Sequence, residues 1–317
     1  MSVPLILAPM AEISHRAFRE LAETFGGCDT YFTEMISAGA LLADGPFEKW
    51  YIDTGPVPEK LVFQIVGHDS GQICRAAAFL DKLECAGIDI NMGCSAPIIR
   101  KAGGGAAWMA SIDKAGELIS LCRPQVKRRL SVKLRIGFDD NFEYLANFCR
   151  RLESEGVEMI TLHPRTVTEK FKRLARWEYV GMLKNELKIP VTGNGDVSSA
   201  ADLVHRAKGP CDAVMIGRAA IKHPWIFSTA RKIESGAAGE EIEAPDIHKI
   251  EEIGLRFLSL LAQHQPPEFH TSRAKRFFGL FCDNLKFGNY LLNELNRENT
   301  LHGIEEEWRD YFIENEE

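Results

Sequence analysis

The stretch Asp89-Ile90-Asn91-Met92-Gly93-Cys94-Ser95 carries a thiol at the point where an apolar run breaks into glycine and serine. Ala86-Gly87-Ile88-Asp89-Ile90 reads as a buried strand, so Cys94 is presented at a strand's end. Arg100-Lys101 and Gly103-Gly104-Gly105 follow closely, adding cations and backbone that other atoms can approach. Such a thiol can give up a proton or attack as a nucleophile, and on this stretch alone it can equally be a small buried structural side chain. Two later stretches have the make-up of a phosphate cradle. Thr192-Gly193-Asn194-Gly195-Asp196-Val197-Ser198 supplies glycines before a helix start, and Ile216-Gly217-Arg218 supplies a second turn with a guanidinium. The alternative is a pair of tight turns that need glycine. Lys133 can neutralise an anionic ligand, and His163 can donate a hydrogen bond or move a proton near neutral pH; for each in isolation a structural ion pair is the other reading. No Ser-His-Asp arrangement and no metal-ligand spacing competes with Cys94.

These residues need elements to hold them. Eight strand-like runs occur: Leu5–Met10, Thr30–Met35, Leu61–Gly67, Ile88–Gly93, Ser131–Gly137, Met159–Arg165, Pro190–Asp196 and Ala213–Arg218. Amphipathic segments alternate with them, including Ser70 to Cys85, Ile112 to Val126, Phe142 to Glu155 and Ser198 to Ala207, with caps expected at Asp69, Ser111 and Val197-Ser198. That alternation predicts a (β/α)8 TIM barrel over 1–240. Polar residues stand at the C-terminal end of nearly every strand, which in a barrel is a single face and the one that carries active sites. After Arg231-Lys232, Gly236-Ala237-Ala238-Gly239-Glu240-Glu241 reads as a flexible connection, and 246–317 reads as a small all-helical domain.

With 317 residues, 45% hydrophobic and 26% charged, the chain is an ordinary globular protein without an apolar run long enough for a membrane span. Its eight cysteines form no Cys-x-x-Cys pair, which argues against a zinc ribbon and predicts reduced thiols. The expectation is a monomer working in the cytoplasm. A net charge of −7 does not itself favour nucleic acid, but an acidic stretch from Glu305 to Glu317 can mask a basic face. Basic clusters stand at Lys127-Arg128-Arg129, at Lys170 through Arg176, and at Arg273, Lys275 and Arg276, the last beside Phe277 and Phe278.

Taken in order, Leu7-Ala8-Pro9-Met10-Ala11, Thr33-Glu34-Met35, Phe63-Gln64-Ile65, Asp89-Ile90-Asn91-Met92-Gly93-Cys94, Val132-Lys133-Leu134-Arg135-Ile136-Gly137, Leu162-His163-Pro164-Arg165-Thr166, Gly193-Asn194-Gly195-Asp196 and Met215-Ile216-Gly217-Arg218 resemble the tRNA-dihydrouridine synthases. The resemblance implies an FMN enzyme whose barrel and helical domain line a channel for tRNA. NADPH would reduce the flavin, hydride would pass to uracil C6, and the cysteine would protonate C5. Carried onto this chain, Cys94 is the acid and Asn91 helps to hold the uracil. Pro9, Met10, Ala11, Gln64, Lys133 and His163 would surround the isoalloxazine and ribityl, and Asn194, Gly195, Asp196, Gly217 and Arg218 would take the phosphate end. Arg165, Arg273, Lys275 and Arg276 would meet the RNA, from which an extruded uridine is expected.

The chain departs from the family pattern at Ser95 and Pro97, where proline and lysine are usual. It departs again at Glu12 and His15, where glycine and aspartate are usual, and at Pro164, where glycine is. Two other readings are an FMN barrel oxidoreductase acting on a small pyrimidine or enone, and an RNA-binding flavoprotein without catalysis.

Overall fold

A computed structural model describes residues 3–169, 172–237 and 245–315. Eight parallel strands close into a barrel in sequence order: β1 Leu5–Leu7, β2 Thr30–Ser37, β3 Leu61–Val66, β4 Gly87–Met92, β5 Arg129–Arg135, β6 Met159–His163, β7 Val191–Asn194 and β8 Ala213–Ile216, with β1 pairing both β2 and β8. Strands β3, β4, β6, β7 and β8 are buried along their whole length, as parallel strands covered on both faces must be. Inside, Ile6, Phe32, Val62, Met159 and Met215 fill the floor, so the barrel is a packed core with one working mouth.

The helices, in chain order, are α1 Arg16–Glu23, α2 Ala38–Leu42, α3 Glu48–Tyr51, α4 Ser70–Leu80, α5 Pro97–Lys101, α6 Ile112–Cys122, α7 Phe142–Ser154, α8 Glu178–Glu186, α9 Ala200–Ala207, α10 Arg218–Lys222, α11 Ile226–Glu234, α12 Ile247–His264, α13 Pro267–Phe281, α14 Gly288–Arg297 and α15 Leu301–Glu314. Their starts are fixed locally. Asp69, Ser111 and Asn141 accept a backbone N–H from the first turns of α4, α6 and α7. For α9 the capping side chain is Ser199, beyond the expected Val197-Ser198. Among the described residues no helix is long and apolar enough to cross a membrane.

Beyond the barrel, α12 packs on α1 and joins α13 through stacked rings, Phe257 and Phe277 lying 3.9 Å apart. Phe278 and Trp308 follow at 4.6 Å, so the acidic end of the chain is an amphipathic helix that buries Ile304, Trp308, Tyr311 and Phe312. The flexible connection expected around 236–241 lies mostly outside the described residues. One cysteine pair departs from the expectation of reduced thiols. Cys74 on α4 and Cys122 on α6 are joined as a disulfide, their packed helices bringing the Cα atoms to 4.7 Å, while six cysteines are free.

Candidate active site

Register between neighbouring strands stacks the polar residues in layers. Gln64 on β3, Asp89 on β4 and Ser131 on β5 pair across the sheet; two residues nearer the mouth, Asn91 pairs with Lys133; nearer still, Arg135 pairs with His163. Because side chains alternate along a strand, each layer points into the barrel with the next one above it.

The deepest layers form a continuous hydrogen-bond relay. Ser131 Oγ donates to Asp89 Oδ1 at 2.6 Å, Gln64 Nε2 donates to Asp89 Oδ2 at 2.8 Å, and Asn91 Nδ2 donates to Gln64 Oε1 at 2.9 Å. Asn91 Oδ1 then accepts the backbone N–H groups of Gly93 at 3.1 Å and Cys94 at 2.8 Å. The turn carrying the thiol is therefore held from beneath. Cys94 is half-buried, whereas the other five free cysteines are buried. The glycine run packs against this turn: Gly105 has φ +56°, and a Cβ on it would lie 2.7 Å from the Cys94 carbonyl oxygen. Ala106 N–H donates to that same oxygen at 3.0 Å. Gly105 thus packs on Cys94, while Gly104 lies against the Gly67 carbonyl.

Cations crowd the mouth above. Burial lowers the Lys133 amine to about 8, with Arg135 lowering it further and Asp89 and Cys94 opposing, so the ammonium stands beside both the relay and the thiol. Arg135 Nε donates to the Gly93 carbonyl at 3.1 Å and ties β5 to the Cys94 turn. Burial, then Lys133, Arg135, Arg165 and Arg218, press His163 down to about 2. It is neutral, and because Arg165 Nη1 can only donate, the His163 Nε2 that meets it at 2.9 Å accepts. Of the two roles the sequence allows it, donating a hydrogen bond or moving a proton near neutral pH, the neutral ring favours the first.

Arg165, expected from the sequence to meet RNA, has a side chain that is 3% exposed and clamps Asp196 at 2.5 and 2.7 Å. Asp196 also accepts the Ala175 N–H at 2.6 Å and so spends its carboxylate on this loop. Asn194 Nδ2 donates to the Met215 carbonyl at 2.8 Å, stitching β7 to β8. Gly195, at φ +118°, is needed for the close approach of the ring beside it, since a Cβ there would lie 2.9 Å from His163 Cδ2. Met10 lies against Gly217, its sulfur 3.4 Å from where a Cβ would stand, so the end of β1 meets the end of β8. Pro9 and Met10 are half-buried, and Ala11 is exposed.

The helical residues divide. Arg273 is 3% exposed, and its Nη2 lies 2.9 Å from Glu34 Oε2 on β2 while Nη1 donates to Gln265. Its guanidinium also rests 4.7 Å over the Phe269 ring. Arg273 and Arg165, both expected to meet RNA, are instead buried in ion pairs and present no exposed guanidinium. Lys275 Nζ donates to the Asn296 carbonyl at 2.8 Å, and Arg276 is exposed. Of the other basic clusters, Lys127-Arg128-Arg129 leads into β5 and so lies at the end opposite the mouth. Arg176 is held by Glu169 and Asp140, and Lys172 and Arg173 are exposed; Lys170 lies outside the described residues.

The donor set fits an anionic group such as a phosphate. Lys133, Arg135, Arg165 and Arg218 outnumber the carboxylate of Asp196, and glycines at 195 and 217 keep backbone open at the ends of β7 and β8. Two features carry no role in the sequence reading: the Asp89 carboxylate and the Glu34–Arg273 pair. Asp89 stands two residues before Asn91, so strand alternation is the signal that points to it.

A family profile described as dihydrouridine synthase matches residues 6–286. A probable tRNA-dihydrouridine synthase of Rickettsia conorii (strain ATCC VR-613 / Malish 7) is 27% identical over 315 residues, covering 98% of this chain and 94% of that one. One of Aquifex aeolicus (strain VF5) is 33% identical over 241 residues, covering 73% and 75%. Among solved structures, 2-naphthoyl-CoA reductase in complex with 2-naphthoyl-CoA has a TM-score of 0.53 at 11% identity, covering 74% of this chain and 50% of that chain, a likeness of fold alone.

Proposed function

The chain belongs to the dihydrouridine synthase family, and we propose that it reduces uridine in tRNA to 5,6-dihydrouridine with FMN as cofactor, NADPH as reductant and Cys94 as the proton donor. The observation that carries the assignment to Cys94 is its position: a half-buried thiol on a turn gripped by Asn91, beneath a mouth ringed by cations.

FMN, when bound, would supply the hydride for uracil C6. Lys133 and the neutral His163 would hold it at the ring and ribityl, with Pro9, Met10, Ala11 and Gln64 around them, and Arg218 with the open backbone at Gly195 and Gly217 would receive its phosphate. Asn194 and Asp196 act at one remove, by fixing the strand end and the Arg165 loop. Cys94 would pass its proton to C5, and the resulting thiolate, with Lys133 and Arg135 nearby, would regain a proton from water. Asn91 is committed to the relay through its oxygen and one N–H, which leaves its second N–H for a uracil carbonyl.

For the RNA, the exposed cations near the mouth are Arg100 and Lys101 on α5, with Lys172, Arg173 and Arg276 further out. We assign the helices within 246–317, with Lys275 and Arg276, to the same partner. The test is to incubate the protein with FMN, NADPH and unmodified tRNA and to look for nucleosides heavier by two hydrogens. The reading predicts dihydrouridine only when all three are present; none under saturating flavin and reductant would refute it.

A further inference from the structure

Both ends of the relay beneath Cys94 dictate its polarity. At one end stands a carboxylate, which when ionised only accepts; at the other stand two backbone N–H groups, which only donate. Gln64 must turn its NH2 toward Asp89, so its oxygen faces Asn91. Asn91 must then turn its NH2 toward Gln64, so its oxygen faces the Cys94 turn. An amide can rotate end for end with almost no change of shape, and hydrogen bonds alone decide between the two orientations. Asp89 is the only member that fixes the choice from below, since Ser131 can donate or accept.

We infer that Asp89 is a positioning residue: through Gln64 and Asn91 it sets the orientation that holds the Cys94 turn in its proton-donating place. The inference rests on the reading of Cys94 as the donor. Gln64, expected only as a flavin contact, is thereby also the middle link. If Asp89 becomes neutral, its charge-assisted acceptor is replaced by a weaker neutral one, and the grip on the amide orientation falls mainly to the two N–H groups above. Inversion would set the Asn91 NH2 against the N–H groups of Gly93 and Cys94 and release the turn. The charged groups around the carboxylate are Lys133 and Arg129, both on β5; its other polar neighbours are Ser131 on β5 and Gln64 on β3. Nothing in that set replaces the acceptor that fixes Gln64.

Two variants separate positioning from simple structural support. Asp89→Leu removes the acceptor and should lower kcat on tRNA by about tenfold to a hundredfold while KM changes little, because the turn is misplaced but the RNA surface is untouched. Asp89→Asn, which still offers Gln64 an oxygen, should restore most of that loss. Asparagine as defective as leucine, or leucine as active as wild type, would overturn the inference. The second measurement needs no RNA and survives if Asp89→Leu does not fold. Alkylation of Cys94 by iodoacetamide, read on the Cys94 peptide, is followed on both sides of pH 6, where burial places the Asp89 carboxyl. Beyond the titration of the thiol itself, wild type should show an added inflection near 6 that Asp89→Asn lacks; identical profiles would overturn the inference. A wild type that alkylates as expected but never reduces tRNA would instead count against the proposed function alone.

Discussion

The pKa of Asp89 sits at about 6, raised chiefly by burial and opposed by its bonds to Ser131 and Gln64. A raised carboxyl holds its proton more tightly folded than unfolded. The stability linked to it is therefore full below the unfolded value of about 3.9 and is lost as pH rises through about 6, a cost on the order of 3 kcal/mol. Asp89→Asn cannot ionise, so its urea midpoint should gain on wild type between about pH 4 and about pH 7; a constant gap would contradict the buried-carboxylate account. At this scale the sequence is legible where a polar side chain interrupts an apolar run at a strand's end, as Asn91, Lys133 and His163 do. It is not legible in the second partner of each charge. Arg165 and Arg273 read as RNA contacts because formal charge says nothing of the distant carboxylate, Asp196 or Glu34, that buries each of them. His163 likewise reads as titratable, while burial, and then cations from three parts of the chain (β5, the turn after β6 and the start of α10), keep it neutral.

Glu34 and Arg273 join β2 to α13, two elements far apart in sequence. Both side chains are almost fully buried, so removing one strands the other's charge, at a cost of about 3–5 kcal/mol. Arg273→Met alone should lose that much in a urea titration, and adding Glu34→Gln should recover a large part of it; losses that simply add would show that the two do not act as a pair. The strands are readable because parallel strands covered on both faces are largely apolar. Except at β2, which runs on to Ser37, their expected ends run past the observed ladders, as where Pro9-Met10 and Gly217-Arg218 leave the sheet to form the mouth. The last helix falls inside the span expected to be helical, and only its packing face is concealed by composition. Acidic residues fill the outer face of α15 and dominate its composition, while Ile304, Trp308, Tyr311 and Phe312 at helical spacing carry its packing.

At the scale of the whole molecule, a chain of net charge −7 must recognise tRNA through local cations. Replacing Arg100 and Lys101 together by glutamine should weaken tRNA binding and flatten the slope of log affinity against log salt by roughly 1 for each phosphate that is no longer neutralised. An unchanged slope would place the RNA away from α5. The barrel and its cationic mouth carry the Cys94 turn, and the most direct measurement is made there. Flavin-loaded wild type and Cys94→Ala are each given NADPH and tRNA, with flavin bleaching and dihydrouridine formation followed in the same sample. The account predicts that both proteins bleach and only wild type forms dihydrouridine at an appreciable rate; equal dihydrouridine from Cys94→Ala would contradict it.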